Sequence, residues 1–104
     1  MTRLTVVVPT RDEEAVVGRC IALLLTEAQP GEMHVVVVAN GTTDRTLEVA
    51  EQAAAGRGAT IETVDLPGPS KIAAVREGIR RADGAVLVLD ADLELSTAAA
   101  RALA

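Results

Sequence analysis

Asp90-Ala91-Asp92 is the run of this 104-residue sequence with the plainest chemical use. Residues two apart on extended backbone project to one side, so both carboxylates can face a single ion. Hard oxygen donors at that density suit magnesium or manganese rather than zinc. So few protein ligands leave coordination positions for water and for phosphate oxygens. Two more polar segments follow short apolar runs: Pro9-Thr10-Arg11-Asp12-Glu13-Glu14 and Ala39-Asn40-Gly41-Thr42-Thr43-Asp44. Lys71, at the head of a helical stretch, adds a mobile positive charge. Each has a plainer alternative. Asp92 can cap a turn while Asp90 is solvated, Asp44, Glu13 and Glu14 suit the first turn of a helix, and Lys71 can be a surface lysine.

Such residues act together only if the chain gathers them, and the apolar pattern predicts where. Leu4 to Val8, Val35 to Ala39, Ala59 to Val64 and Ala85 to Asp90 read as four strands. The first, second and fourth are nearly continuous Val, Leu and Ala, as in parallel strands covered on both faces. The third alternates apolar and polar residues, as a half-exposed edge strand does. Between them, Val17, Ile21, Leu24 and Ala28 predict one buried helical stripe, and Leu47, Ala50 and Ala54 a second. Ile72, Val75, Ile79 and Ala82 predict a third. Pro30-Gly31 and Gly56 with Gly58 are stop signals, and Ser70 is a candidate cap for the third helix. Apolar spacing predicts no element for the Ala-rich tail from Ala98 to Ala104.

A β-α-β-α-β-α-β series with right-handed crossovers gives an α/β fold, a Rossmann-like three-layer arrangement around a parallel sheet ordered 3-2-1-4. The winding reverses between strands 1 and 4. A crevice opens there, at the carboxyl ends of the strands, and the polar segments after strands 1, 2 and 4 all fall at that edge. Helices 2 and 3 aim their amino ends at it, and their dipoles favour an anion. A ligand carrying phosphates suits the place.

Composition narrows the partners. The apolar share of 49% and charged share of 24% describe a globular chain with one core. A net charge of −5 argues against nucleic acid, which needs a basic face. The chain has no Phe, Tyr or Trp, so a stacked base would need another partner, such as an arginine guanidinium. Cys20 is the only cysteine, which excludes an internal disulfide and a zinc cluster; its apolar setting predicts a packed thiol. His34 falls at the start of strand 2, away from the crevice, and no catalytic role is expected of it. The apolar runs are far shorter than the roughly 18 residues that span a bilayer. The expectation is a cytoplasmic protein, a setting compatible with peripheral membrane contact.

The segments Val6 to Glu14, Val35 to Thr46 and Lys71 to Asp92 resemble, in order and spacing, the family 2 glycosyltransferases. That family shows a Val/Ile-rich strand ending in Pro and an Asn-Glu pair. A second strand ends in residues like Asp-Gly-Ser-Thr-Asp, and a later one in Asp-x-Asp. The resemblance implies a GT-A fold, a nucleotide-diphosphate sugar as ligand, a divalent metal (Mg2+ or Mn2+) and transferase activity. It implies that Pro9, Thr10, Arg11 and Glu13 form the base and ribose pocket, and that Asn40 lies against the base. Asp90 would sit near the ribose or metal and Asp92 on the metal. There are departures: Arg11 stands where an aromatic is frequent, Asp12 replaces Asn, Asn40 replaces a frequent Asp, and Arg76 replaces a frequent Asn. Gly78 fits.

On this reading residues 1–104 are a single, truncated glycosyltransferase-like domain. It lacks the acceptor half and the carboxylate that would deprotonate an acceptor. Strand 4 would then be an apolar edge, and residues 85–89 are expected to pair with a second copy or a partner chain. Three other readings compete. A nucleotidyltransferase would need a Gly-rich, basic loop after strand 1, and Pro9 to Glu14 is not one. A donor-binding remnant would keep the site without the catalysis. A response-regulator receiver is mimicked by Asp12, Glu13 and Asp65-Leu66-Pro67, but it needs a fifth strand.

Overall fold

The computed structural model describes residues 3–104. Its elements run β1 (Leu4–Thr10), α1 (Val17–Leu25), β2 (Met33–Asn40), α2 (Thr46–Ala54), β3 (Thr60–Leu66), α3 (Lys71–Arg80), β4 (Val86–Val88) and α4 (Thr97–Leu103). The four strands make one parallel sheet ordered β3-β2-β1-β4, as the winding argument predicts. Leu4 pairs with Met33 and Thr10 with Ala39, so β1 and β2 end level with each other. Both central strands are almost wholly buried apolar residues, which a parallel strand covered on both faces requires.

Alternation sorts those valines between two helical layers. Val6, Val8, Val35 and Val37 pack with Val17, Ile21 and Leu24 of α1 and Ala50 of α2 in the larger core. Val36 and Val38 turn to the other face and pack with Ala74 of α3. The second layer is thin because α3, the one helix on this face among the described residues, packs chiefly on β1 and β2.

Two expectations fail on that thin side. The predicted buried stripe of α3 is not the buried one: Ile72 is 72% exposed and Ile79 48%, while Ala74 and Gly78 are buried. Helix and sheet meet through the smallest side chains, since a Cβ on Gly78 would lie 2.9 Å from Val7 Cγ2 and overlap Cγ1. The isoleucines are thereby turned outward. Likewise β4 is not covered on both faces. It pairs with β1 from Thr5↔Val86 to Val7↔Val88, and Val86 and Val88 are 40% and 42% exposed.

The tail supplies an unpredicted element. Alanine has the highest helix propensity but leaves no apolar rhythm to detect, so α4 escapes a periodicity search. Ser96 caps it, its Oγ accepting from Ala99 N at 3.1 Å. Thr97 Oγ1 donates to Leu24 O at 2.6 Å and accepts from Glu27 N at 3.1 Å, which ties α4 to the end of α1. Helix α1 itself ends at Leu25, so Ala28 packs on the core from beyond the helix. Among the described residues no helix is long and apolar enough to cross a membrane.

Candidate functional site

The strand ends deliver the polar residues. Thr10 closes β1 almost fully buried, and its Oγ1 donates to Glu13 Oε1 at 3.0 Å. The same oxygen accepts from Arg11 N at 3.2 Å, so Glu13 folds its loop back on the strand end. Glu13 and Glu14 are therefore not first-turn acids of α1, which begins at Val17. Asn40 closes β2, also buried. Gly41 follows with φ 81° and runs against the next loop, where a Cβ would stand 3.4 Å from the Pro69 backbone.

The β1–α1 and β2–α2 loops are stitched together by side chains. Asp12, with φ 50°, accepts at Oδ1 from Thr43 N at 2.7 Å, Thr43 Oγ1 at 3.1 Å and Asp44 N at 3.3 Å. In return Asp12 N donates to Thr42 Oγ1 at 3.3 Å, Glu13 N to Thr46 Oγ1 at 2.9 Å and Glu14 N to Asp44 Oδ2 at 3.2 Å. Asp44 precedes α2 rather than lying in its first turn, and it also accepts from Thr46 N and Oγ1. Desolvation raises the Asp44 carboxyl, but hydrogen bonds from Thr46 and Glu14 outweigh it and hold the group below its ordinary range. Sequence reasoning missed this clasp. Its signal is the density of Asp and Thr after two strand ends, residues that favour side-chain to backbone bonds.

Beyond β4, Leu89 N still bonds Val7 O at 2.8 Å, and then the chain turns, with Leu93 N on Asp90 O at 3.0 Å. The two aspartates thus sit on a turn, where extended backbone was expected. Both still line one cavity, and buried Ala91 between them anchors the turn in the core. Cys20 lies beneath, its Sγ 3.9 Å from Asp90 O. Burial, with the charges of Glu13 and Asp92, pushes that thiol up to about 11, as suits a packed and unreactive cysteine. Lys71, the first residue of α3, reaches across to Asp90 Oδ1 at 2.7 Å. That hydrogen bond, then the Asp90 charge, raises the lysine above its ordinary range.

Pro9, Thr10, Arg11, Glu13, Asn40, Lys71, Asp90 and Asp92 all line one cavity of about 270 Å3. The structure brings together every residue singled out for the site. A larger depression of about 480 Å3 lies along Lys71, Ile72, Val75, Arg76 and Ile79 on the outer flank of α3, so Lys71 borders both hollows. It is mostly apolar and carries no carboxylate or hydroxyl beside its two basic side chains, so it is not where the chemistry gathers. Arg76 faces that flank. His34, at the opposite end of β2, bonds Thr60 Oγ1 at 2.6 Å and Glu62 Oε1 at 3.2 Å, consistent with a structural role. Arg80 and Arg81, at the carboxyl end of α3, are paired with Glu77, and Arg81 also with Glu62.

A cation would find few donors. Among the described residues no group of three or more His, Cys, Asp or Glu is placed to hold a metal. Two carboxylates on one turn fit a hard ion that keeps its waters and completes its shell with phosphate oxygens, and they do not fit a closed structural site.

Residues 5–104 match the family model described as glycosyl transferase family 2. The chain belongs to that family. The receiver and nucleotidyltransferase alternatives fall with this match; Asp65, the residue a receiver would phosphorylate, is exposed at the end of β3 and lies outside the cavity. No protein of curated function matches this family 2 domain by sequence. Among solved structures, S. aureus TarS residues 1–349 superposes with a TM-score of 0.83 at 22% identity, over 97% of this chain and 31% of that one. TarS 1–349 in complex with UDP gives 0.77 at 25% identity, over 91% and 29%. TarS 1–349 in complex with UDP-GlcNAc gives 0.75 at 24% identity, over 97% and 30%. The family 2 domain has the GT-A fold of these neighbours and spans about a third of their length.

Proposed function

We propose that this chain is the donor-binding half of a glycosyltransferase, holding a nucleotide-diphosphate sugar in the cavity between β1, β2 and β4. The observation that carries the reading is the convergence of eight polar or loop residues from four separate segments on one cavity at the switch point of the sheet. Thr10, Pro9, Arg11 and Asn40 take the base and ribose side. In a chain without aromatic residues, the exposed Arg11 guanidinium stacks on the base. Lys71 and the amino end of α3 take the diphosphate.

Asp90 and Asp92 would hold Mg2+ or Mn2+, which when bound neutralises charge on the leaving diphosphate. Transfer also needs a base on the far side of the sugar, within reach of the acceptor hydroxyl. None of the residues lining this cavity is given that role. Donor binding is the part of that transfer proposed for the residues lining the cavity. The unpaired β4 edge is proposed as the place where a second copy of the chain docks.

Calorimetry with nucleoside diphosphates, with and without manganese, tests the proposal, and UDP is the first ligand to try because a similar structure carries it. The expected result is manganese-dependent binding that Asp92→Ala abolishes. Binding of equal strength with and without manganese, unaffected by Asp92→Ala, would remove the metal from the reading.

A further inference from the structure

Lys71 stands against the local rule for its position. A cation in the first turn of a helix opposes the helix dipole, and α3 has no acid there to offset it. Its tertiary partner explains the placement: Nζ lies 2.7 Å from Asp90 Oδ1. That oxygen belongs to one of the two carboxylates that would hold the cation, so the ammonium contacts an atom that the cation would need. An ammonium and a divalent ion cannot both contact one carboxylate oxygen from the same side without strong repulsion. The lysine has an escape. Its side chain is 63% exposed on a flexible four-carbon stem, and it borders the cavity that Thr10 and Asn40 also line.

We propose that Lys71 is a built-in placeholder for the divalent ion, which leaves Asp90 for the diphosphate when metal and nucleotide enter together. The inference rests on the metal and donor reading above and adds a regulatory consequence. Metal alone must displace the lysine from its 2.7 Å contact and leave it only the more distant charge of Glu13. Metal with nucleotide offers the ammonium a new anionic partner. The two ligands therefore bind with positive coupling, and each strengthens the other by the same factor.

The test titrates Mn2+ alone, UDP alone and UDP with Mn2+ into the wild-type protein, Lys71→Met, Lys71→Gln and Asp92→Ala. Melting by circular dichroism confirms that the variants fold. The expected result is that both lysine variants bind Mn2+ alone about tenfold tighter than wild type, because a nearby like charge is gone. They should bind UDP with Mn2+ about tenfold more weakly, so the coupling factor falls on both counts. The inference is overturned if wild type shows Mn2+-dependent UDP binding while the lysine variants hold Mn2+ alone no tighter. If wild type and lysine variants all fail to bind Mn2+ with UDP present, the metal reading itself falls and takes the inference with it. Asp92→Ala should lose Mn2+ in either condition.

Discussion

At Asp12 the backbone takes φ 50°, and one carboxylate oxygen accepts three hydrogen bonds from residues some thirty positions later. A non-glycine residue is held there only when its surroundings over-determine it. Asp12→Ala removes the acceptors while keeping a Cβ at positive φ, and should cost roughly 1–3 kcal/mol in urea unfolding. Asp12→Asn keeps one acceptor and a side chain tolerant of that conformation, so it should cost less than half as much. UDP affinity should fall in the same order, because the clasp fixes the loop bearing Thr10 and Arg11. Equal stability of the alanine and asparagine variants would count against the clasp. The sequence names every lining residue of the cavity, because strand ends and residue types suffice for that. It does not expose the clasp, whose partners lie on separate loops with no periodicity to link them. Nor does it expose the turn at Asp90, which replaces the extended geometry that first suggested the pair.

Element by element, periodicity tells which residues share a face but not which face meets the sheet. For β1, β2 and α1 only one arrangement buries the large residues, and expectation and structure agree. On α3 the isoleucine stripe competes with Ala74 and Gly78, and close approach to Val7 favours the small residues. Helix α4 has almost no apolar face and is held by polar contacts at its ends. Arg101 Nε contacts Glu32 Oε2 at 2.5 Å, linking α4 to the start of β2. The Arg101 hydrogen bond, helped by the Gln29 amide, lowers the Glu32 carboxyl from 4.5 to about 2. A carboxyl depressed on folding contributes stability that is complete above its unfolded value and is lost as pH falls through its folded one. The midpoint difference between wild type and Arg101→Leu in chemical denaturation should be full at neutral pH. It should narrow as pH falls below about 4.5 and close near 2. A difference independent of pH would assign α4 docking to Thr97 and Ala100 instead.

At the scale of residues 3–104, the two edges of the sheet differ in character. Edge strand β3 is half-buried and carries Thr60, Glu62, Thr63 and Asp65, the kind of polar residues that blunt an edge. Edge strand β4 carries none. Its Val86 and Val88 stand exposed, so apolar side chains and a row of unpaired backbone groups lie together on one edge. Such a combination templates strand addition, and two copies joined edge to edge about a two-fold axis would satisfy both at once. Sedimentation should therefore show a monomer at low concentration and a dimer as concentration rises. The net charge of −5 on each copy opposes the contact through long-range repulsion. Added salt screens that repulsion and leaves the apolar contact intact, so the dimer should strengthen with ionic strength, opposite to an interface held by ion pairs. Val88→Lys should return the protein to monomer without lowering UDP affinity, since Val88 does not line the cavity. A wild-type protein that stays monomeric at high concentration and high salt would leave β4 an exposed edge tolerated by a single chain.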